Sequence, residues 1–366
     1  MSYGDEKRGY PAMTLGEMCQ ELNDRYRTRK MPAERHIQQL IDKVSTREEA
    51  ELAAGAIARF HAERVSLRAS GANLRRRGTL DGRSLLMFID ACQRGGNVDA
   101  AVDAAEKHLV MGLTITRRGL EALLDACITV EQIMRAYALW RKVDIPVDAR
   151  CATAVVSAAA RVGDADAAAA FAAQFTDAGT PPSLEALVAV ASAALDRADV
   201  ALATEAVASA RAAVVRQKAN ASDGEDETNA ERAEAMAALC AAQANALAGR
   251  DAAAAEELAA AVAVAGGADE ELAAALRERF EEWPRRVYGS EGEDAVVAAA
   301  AASVEATPAR TLAARLEAAA AGCGFEFNVA RAFDGIDLGG EEVEEGAAEE
   351  GASDEGADEG VDEEKS

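Results

Sequence analysis

The sequence predicts an all-α protein, an α-solenoid of stacked helical hairpins with a disordered acidic C-terminal tail. Three observations lead there. A short motif returns at near-constant spacing: Ile89-Asp90-Ala91-Cys92 recurs as Leu124-Asp125-Ala126-Cys127 after 35 positions, and as Val156-Ser157-Ala158-Ala159 after 32 more. A helix pair of that length cannot bury its apolar face alone, whereas stacked pairs can. Alanine supplies 91 of the 366 residues and aromatics only 4%. Alanine is the best helix former, although a GC-rich coding sequence also raises it, so the periodicity weighs more. Finally, apolar β-branched runs of period 2 are absent, which argues against sheet.

Residues 1–30 read as a basic arm ending in Arg25, Arg27, Arg29 and Lys30, with one short helix near residues 15–22. Residues 31–81 read as a helical hairpin and a basic connector. Pro32 suits a first helical turn, and Ile37, Leu40, Ile41 and Val44 mark the apolar face. Ser45 or Thr46 caps the second helix, with Glu48 and Glu49 in its first turn. That helix runs through Leu52, Ile57 and Phe60 to about Val65, and a connector at 66–81 carries Arg68 and Arg75-Arg76-Arg77.

Residues 82–183 hold three repeats, 82–116, 117–148 and 149–183, each helix, turn, helix, loop. Gly95-Gly96 breaks the first pair and Gly163 the third; Gly179-Thr180-Pro181-Pro182 closes the third. The second lacks a central glycine and reads as three residues shorter near the end of its second helix. Phe88, Ile89, Leu123, Leu124, Val155 and Val156 hold one equivalent position and are expected in the core. Residues 184–335 read as an Ala-rich helical continuation with helices at 184–197, 199–216, 228–248, 251–265, 269–285, 292–306 and 309–321. A mobile polar loop is expected at 217–227. Pro284 is read as ending a helix and Pro308 as starting one. Phe325, Phe327, Val329 and Phe333 read as a cap on the solenoid end. Residues 336–366 form the tail. Its last 26 residues carry 13 acids against one lysine and lack core-forming side chains, so disorder is expected.

Charge is uneven. Residues 1–150 hold 24 Lys+Arg against 21 Asp+Glu, while 151–340 hold 14 against 30, within a formal net charge of −25. Only the front of the molecule is suited to phosphate. Six cysteines form no CxxC pair; Cys92 and Cys127 share one repeat position and read as small core residues. No uncharged apolar run of membrane length occurs. The first ten residues lack the Arg-rich, acid-poor character of a transit peptide.

The repeats resemble pentatricopeptide repeats. The first unit matches without gaps: Asp90 follows Phe88-Ile89, Arg94 sits one turn on, Gly96 breaks the pair, Ala101 sits at the helix crossing and Gly112 ends the second helix. The third repeats this with Val155-Val156, Arg161, Gly163, Ala168, Gly179 and Pro182. The second keeps Leu123-Leu124-Asp125, Ala136, Trp140 and Ile145-Pro146-Val147-Asp148. Tetratricopeptide repeats are a near neighbour, but they want a small residue where this chain has Ile89, Leu124 and Val156. The resemblance implies one RNA base read per repeat, by a first-helix residue paired with the repeat's last. Here those pairs are Leu86 with Thr116, Glu121 with Asp148, and Thr153 with Ser183. Leucine offers no hydrogen bond to a base edge, and two anions disfavour a nearby phosphate, so only the third pair suits a base.

Arg83, Arg118 and Arg150 recur near the start of each first helix, spaced 35 and 32. Together with Arg75, Arg76, Arg77 and Arg117 they form a candidate phosphate-binding track that positions RNA without reading it. The other reading is a solvated face paired with acids on neighbouring repeats. His36, His61 and His108 stand at no metal-ligand spacing, and no nucleotide-binding or nucleophile motif occurs. The chain therefore reads as no enzyme, with no metal, cofactor, membrane or small-molecule substrate. The expected role is a scaffold in an organellar gene-expression complex. Its most concrete form resembles the pentatricopeptide proteins of mitochondrial ribosomes, with rRNA and ribosomal proteins as partners. A chloroplast or cytoplasmic location is the alternative, as is an acidic protein–protein adaptor or a chaperone of basic proteins.

Overall fold

The structure is a computed structural model that describes residues 13–28, 31–70, 80–220, 224–265, 270–288, 307–321, 323, 327–334 and 336. Seventeen helices run through these residues. The first six are α1 (Leu15–Arg27), α2 (Glu34–Asp42), α3 (Arg47–Ala69), α4 (Gly82–Arg94), α5 (Val98–Glu106) and α6 (His108–Met111). Then come α7 (Arg117–Ala126), α8 (Val130–Lys142), α9 (Ala149–Arg161), α10 (Ala165–Asp177), α11 (Leu184–Asp196) and α12 (Val200–Asn220). The last are α13 (Gly224–Leu247), α14 (Asp251–Ala265), α15 (Glu270–Tyr288), α16 (Ala309–Ala321) and α17 (Val329–Ala332). No strand forms among the described residues; one backbone bridge joins Leu80 to Leu113.

The helices stack in two layers. First helices pack in order, α2 on α4, then α7, α9, α11 and α13; α3 with α5, α5 with α8, and α10 with α12 form the other layer. This is the all-α solenoid. Its repeat is visible in the turns. Asn97, Asp164 and Asp199 each bond back through the backbone amide to the helix before, on Cys92, Ala159 and Ala194. Their side chains then cap the helix that follows, at Ala100, Ala167 and Leu202. Gly96 and Gly163 take the left-handed residue of this turn, and Ala198 takes it between α11 and α12 at φ 55°. A Cβ there is strained, and glycine relieves it.

Successive units are also tied by arginines that reach the carbonyl end of an earlier helix. Arg94 donates to the Asp42 carbonyl, Arg161 to that of Leu124 and Arg315 to that of Ala246. A cation suits that end of a helix because the carbonyls there lack intrahelical partners.

The core is contiguous. Phe88, Ile89, Leu123, Leu124, Val155 and Val156 are all buried, as are Trp140, Trp283 and the crossing residues Ala101, Ala136 and Ala168. Leu124→Ala is expected to cost about 2–5 kcal/mol, the sum of lost transfer energy and a cavity. Urea unfolding measures it, and a loss below about 1 kcal/mol is incompatible with this register.

Several expectations need correction. The second repeat is short in its first helix, not its second: α7 has 10 residues where α4 and α9 have 13. The helix expected at 15–22 continues to Arg27, with a Thr14–Glu17 capping box. The connector at 66–81 starts later because α3 continues to Ala69. Most of the loop expected at 217–227 is helical, split between the end of α12 and the start of α13. Pro284 does not end α15, which continues to Tyr288. The proline removes one backbone bond, but Trp283 and Arg286 on either side are held by α11.

That last contact reshapes the back of the molecule. α15 does not simply extend the stack. It lies across α11 and α13: Arg279 donates to the Ser192 carbonyl and Asp196, and the Trp283 Nε1–H to the Leu195 carbonyl at 3.2 Å. α16 packs on α13 and α14, and α17 on α15 and α16. Phe327 stacks on Phe280 with ring centroids 4.4 Å apart, so part of the expected aromatic cap closes on α15. Residues 1–12, Arg75–Arg77, the helix expected at 292–306, Phe325 and the tail at 337–366 lie outside the described residues.

Candidate nucleic-acid interface

Arg83, Arg118 and Arg150 each occupy the second residue of a first helix, α4, α7 and α9. The structure adds a fourth. Arg35 is the second residue of α2, and all four are exposed. Because α2, α4, α7 and α9 stack in sequence, the four positions form one row along the edge where these helices begin. Stacked helix axes lie about 8–10 Å apart, so the row extends roughly 25–30 Å. Repeat spacing alone misses Arg35. It precedes Arg83 by 48 positions, because α3 has 23 residues and a long connector follows it. The cue available in the sequence was its place just after Pro32 at a helix start.

None of the four guanidinium groups makes an ion pair or hydrogen bond among the described residues. Other arginines near the first-helix face are engaged. Arg117 pairs with Asp148 at 2.9 Å, Arg94 with Asp90, and Arg161 with Asp125 at 3.6 Å. A cation in the first turn also opposes the helix dipole, which favours anions there by about 0.3–1 kcal/mol. Four such placements in register cost stability and line up positive charge along one edge.

The opposite edge carries acids. Asp42, Asp90 and Asp125 sit seven residues after Arg35, Arg83 and Arg118, all exposed. Seven residues of helix rise about 10 Å. Arg94 and Arg161 answer Asp90 and Asp125 there, so the two edges differ in pairing, with the four cations of the helix-start row left out of ion pairs among the described residues. The row stops at α11, whose second residue is Glu185.

The expected base-reading pairs have other work. Each repeat's last residue is the N-cap of the next first helix. The Thr116 hydroxyl accepts from the Gly119 amide, Asp148 from Arg150 and Cys151, and Ser183 from Ala186. Asp148 also holds Arg117. The Thr153 hydroxyl donates to the Ala149 carbonyl at 2.8 Å and accepts the Ser183 amide at 2.9 Å. Leu86 and Glu121 are half-buried.

Cysteine chemistry is subdued. Burial pushes the Cys92, Cys127 and Cys151 thiols up to about 12, so at neutral pH they are packing groups and poor nucleophiles. His36 is on the buried face of α2, and His61 lies where a Cβ on Gly112 would strike its ring, 2.0 Å from Nδ1. Among the described residues no group of His, Cys, Asp and Glu is placed to hold a metal, and no helix is long and apolar enough to cross a membrane.

No family model matches this chain, and no curated protein does. Among solved structures, the pentatricopeptide repeat protein PPR10 from maize matches with TM-score 0.40 and 15% identity, over 87% of this chain and 46% of that one. PPR10 in complex with an 18-nt psaJ RNA element matches with TM-score 0.35 and 11% identity, over 86% of this chain and 50% of that one. The chain thus spans about half the length of these structures. Likeness at this level carries no weight of its own; the solenoid rests on the helix contacts described above.

Proposed function

We propose that this chain is a non-catalytic helical scaffold of pentatricopeptide type that holds RNA by its phosphates without reading bases, and that it works in an organellar gene-expression complex, most concretely a mitochondrial ribosome. The observation that carries the reading is the row of Arg35, Arg83, Arg118 and Arg150, four exposed cations at one helix position, none in an ion pair among the described residues. Folding does not need them there, and the dipole of each helix works against them. A polyanion running along the row neutralises all four and releases counterions. The N-cap duties of Thr116, Asp148 and Ser183 support readout of the backbone over readout of bases.

The second-helix side supports protein partners in the same assembly. Leu109 is 78% exposed and Val110 69%, both on α6, and Met134 on α8 is exposed as well. A purely protein adaptor uses that side alone and leaves the arginine row to solvent.

Sedimentation of the tagged protein from its native cells separates the two. The RNA scaffold sediments in a large particle that ribonuclease disperses. A small complex indifferent to ribonuclease transfers the assignment to the adaptor.

A further inference from the structure

A groove of about 740 Å³ opens on the first-helix face where α15 crosses it. Its floor is the open side of α11, with Val188 among its residues, and Met236 of α13. Four arginines line it from three helices, Arg161 on α9, Arg232 on α13, and Arg279 and Arg286 on α15, against two acids of α11, Glu185 and Asp196. Arg279 is 10% exposed and is committed to Asp196. Arg161 gives one guanidinium nitrogen to the Leu124 carbonyl at 2.9 Å, and Arg232 makes no hydrogen bond among the described residues. Their nearest acids, Asp125 and Glu271, stand at 3.6 and 3.7 Å, beyond good hydrogen bonds, and their side chains are 45% and 44% exposed. A guanidinium has five N–H donors, so both retain donors for a carboxylate.

We infer that this groove takes an extended acidic segment with small aliphatic side chains, and that its occupant is residues 341–350 of this same chain. The sequence there is EEVEEGAAEE, three pairs of glutamates separated by Val343 and by Gly346-Ala347-Ala348. Small aliphatic groups suit a floor of Val188 and Met236, and the flanking acids suit the remaining donors of Arg161 and Arg232.

The tail also starts in the right place. Ile336 follows Phe333, whose ring lies 6.5 Å from that of Tyr288, two residues past Arg286 on α15. The contacts of residues 327–333 use Phe280, Glu281, Arg285 and Tyr288, on the flank of α15 away from Arg279, Trp283 and Arg286. The chain must therefore cross one helix, about 10–12 Å. The seven peptide steps from Ile336 to Val343 cover up to about 24 Å. A tether this short holds the segment at millimolar effective concentration, so individually weak, half-exposed ion pairs suffice to fill the groove. The inference does not depend on RNA binding.

The test is digestion of the full-length chain by a glutamate-specific protease at low salt, with the free peptide of residues 337–366 as reference. Cleavage after Glu341, Glu342, Glu344, Glu345, Glu349 and Glu350 is expected to be about tenfold slower than in the free peptide. Cleavage after Glu355 and Glu359 should match it. The difference should vanish at about 0.5 M salt and in Arg161→Glu/Arg232→Glu, whose folding is checked by circular dichroism. Equal rates along the whole tail of the wild-type chain overturn the proposal. So does protection that survives in the groove variant, or protection abolished instead by Arg83→Glu/Arg118→Glu, which would seat the tail on the helix-start row.

Discussion

Trp283→Ala is expected to lower stability by about 3–5 kcal/mol, the largest effect of any single substitution discussed. The indole is fully buried and joins α15 to α11, 88 positions earlier in the chain. Its loss leaves a cavity and removes one hydrogen bond, worth about 0.5–1.5 kcal/mol, from a Leu195 carbonyl that keeps the Ala198 amide as a donor. Trp283→Phe keeps most of the volume and loses the hydrogen bond, so its cost should be smaller, about 0.5–1.5 kcal/mol. Urea unfolding of both variants checks the order. In a solenoid each unit is stabilised chiefly by its neighbours. Hydrogen exchange should therefore rise first in α15 and α11, with α4 and α5 retaining their protection. A loss below about 1 kcal/mol for Trp283→Ala would mean that α15 does not close on α11.

The hairpins were legible because their signals are local. Asn97 and Asp164 each end one helix turn and cap the next helix, and Gly96 and Gly163 supply the left-handed residue between them. Where alanine replaces that glycine, at Ala198, the same turn forms with a weaker sequence cue. The crossing of α15 was not legible. Trp283-Pro284 reads locally as a helix end, and only Ser192, Leu195 and Asp196 on a distant helix give those residues another role. The candidate interface divides in the same way. Three of its arginines follow the repeat spacing, while Arg35 falls outside it and joins the row through stacking of α2 on α4. Arg117, adjacent to Arg118 in sequence, turns instead to Asp148, a pairing set by the next repeat.

The second large effect concerns RNA affinity. Removing the row with Arg35→Ala/Arg83→Ala/Arg118→Ala/Arg150→Ala deletes four phosphate contacts at exposed positions that pack against nothing in the core. Each contact with a single strand contributes roughly 0.7 to the slope of log affinity against log salt, and each contact with a duplex about 0.9. The variant's slope should therefore be shallower by about 3 units, corresponding to about a thousandfold weaker binding at 0.1 M salt when referred to 1 M. Far-UV circular dichroism should be unchanged or slightly stronger, since the substitutions relieve charge at four helix starts.

The most direct measurement is a salt titration of wild type and this variant against several structured RNAs of unrelated sequence. Backbone binding by the row predicts nearly equal wild-type affinities for all of them, one common steep slope, and loss of about 3 units of that slope in the variant. A strong wild-type preference for one RNA sequence, or equal slopes for wild type and variant, would contradict it.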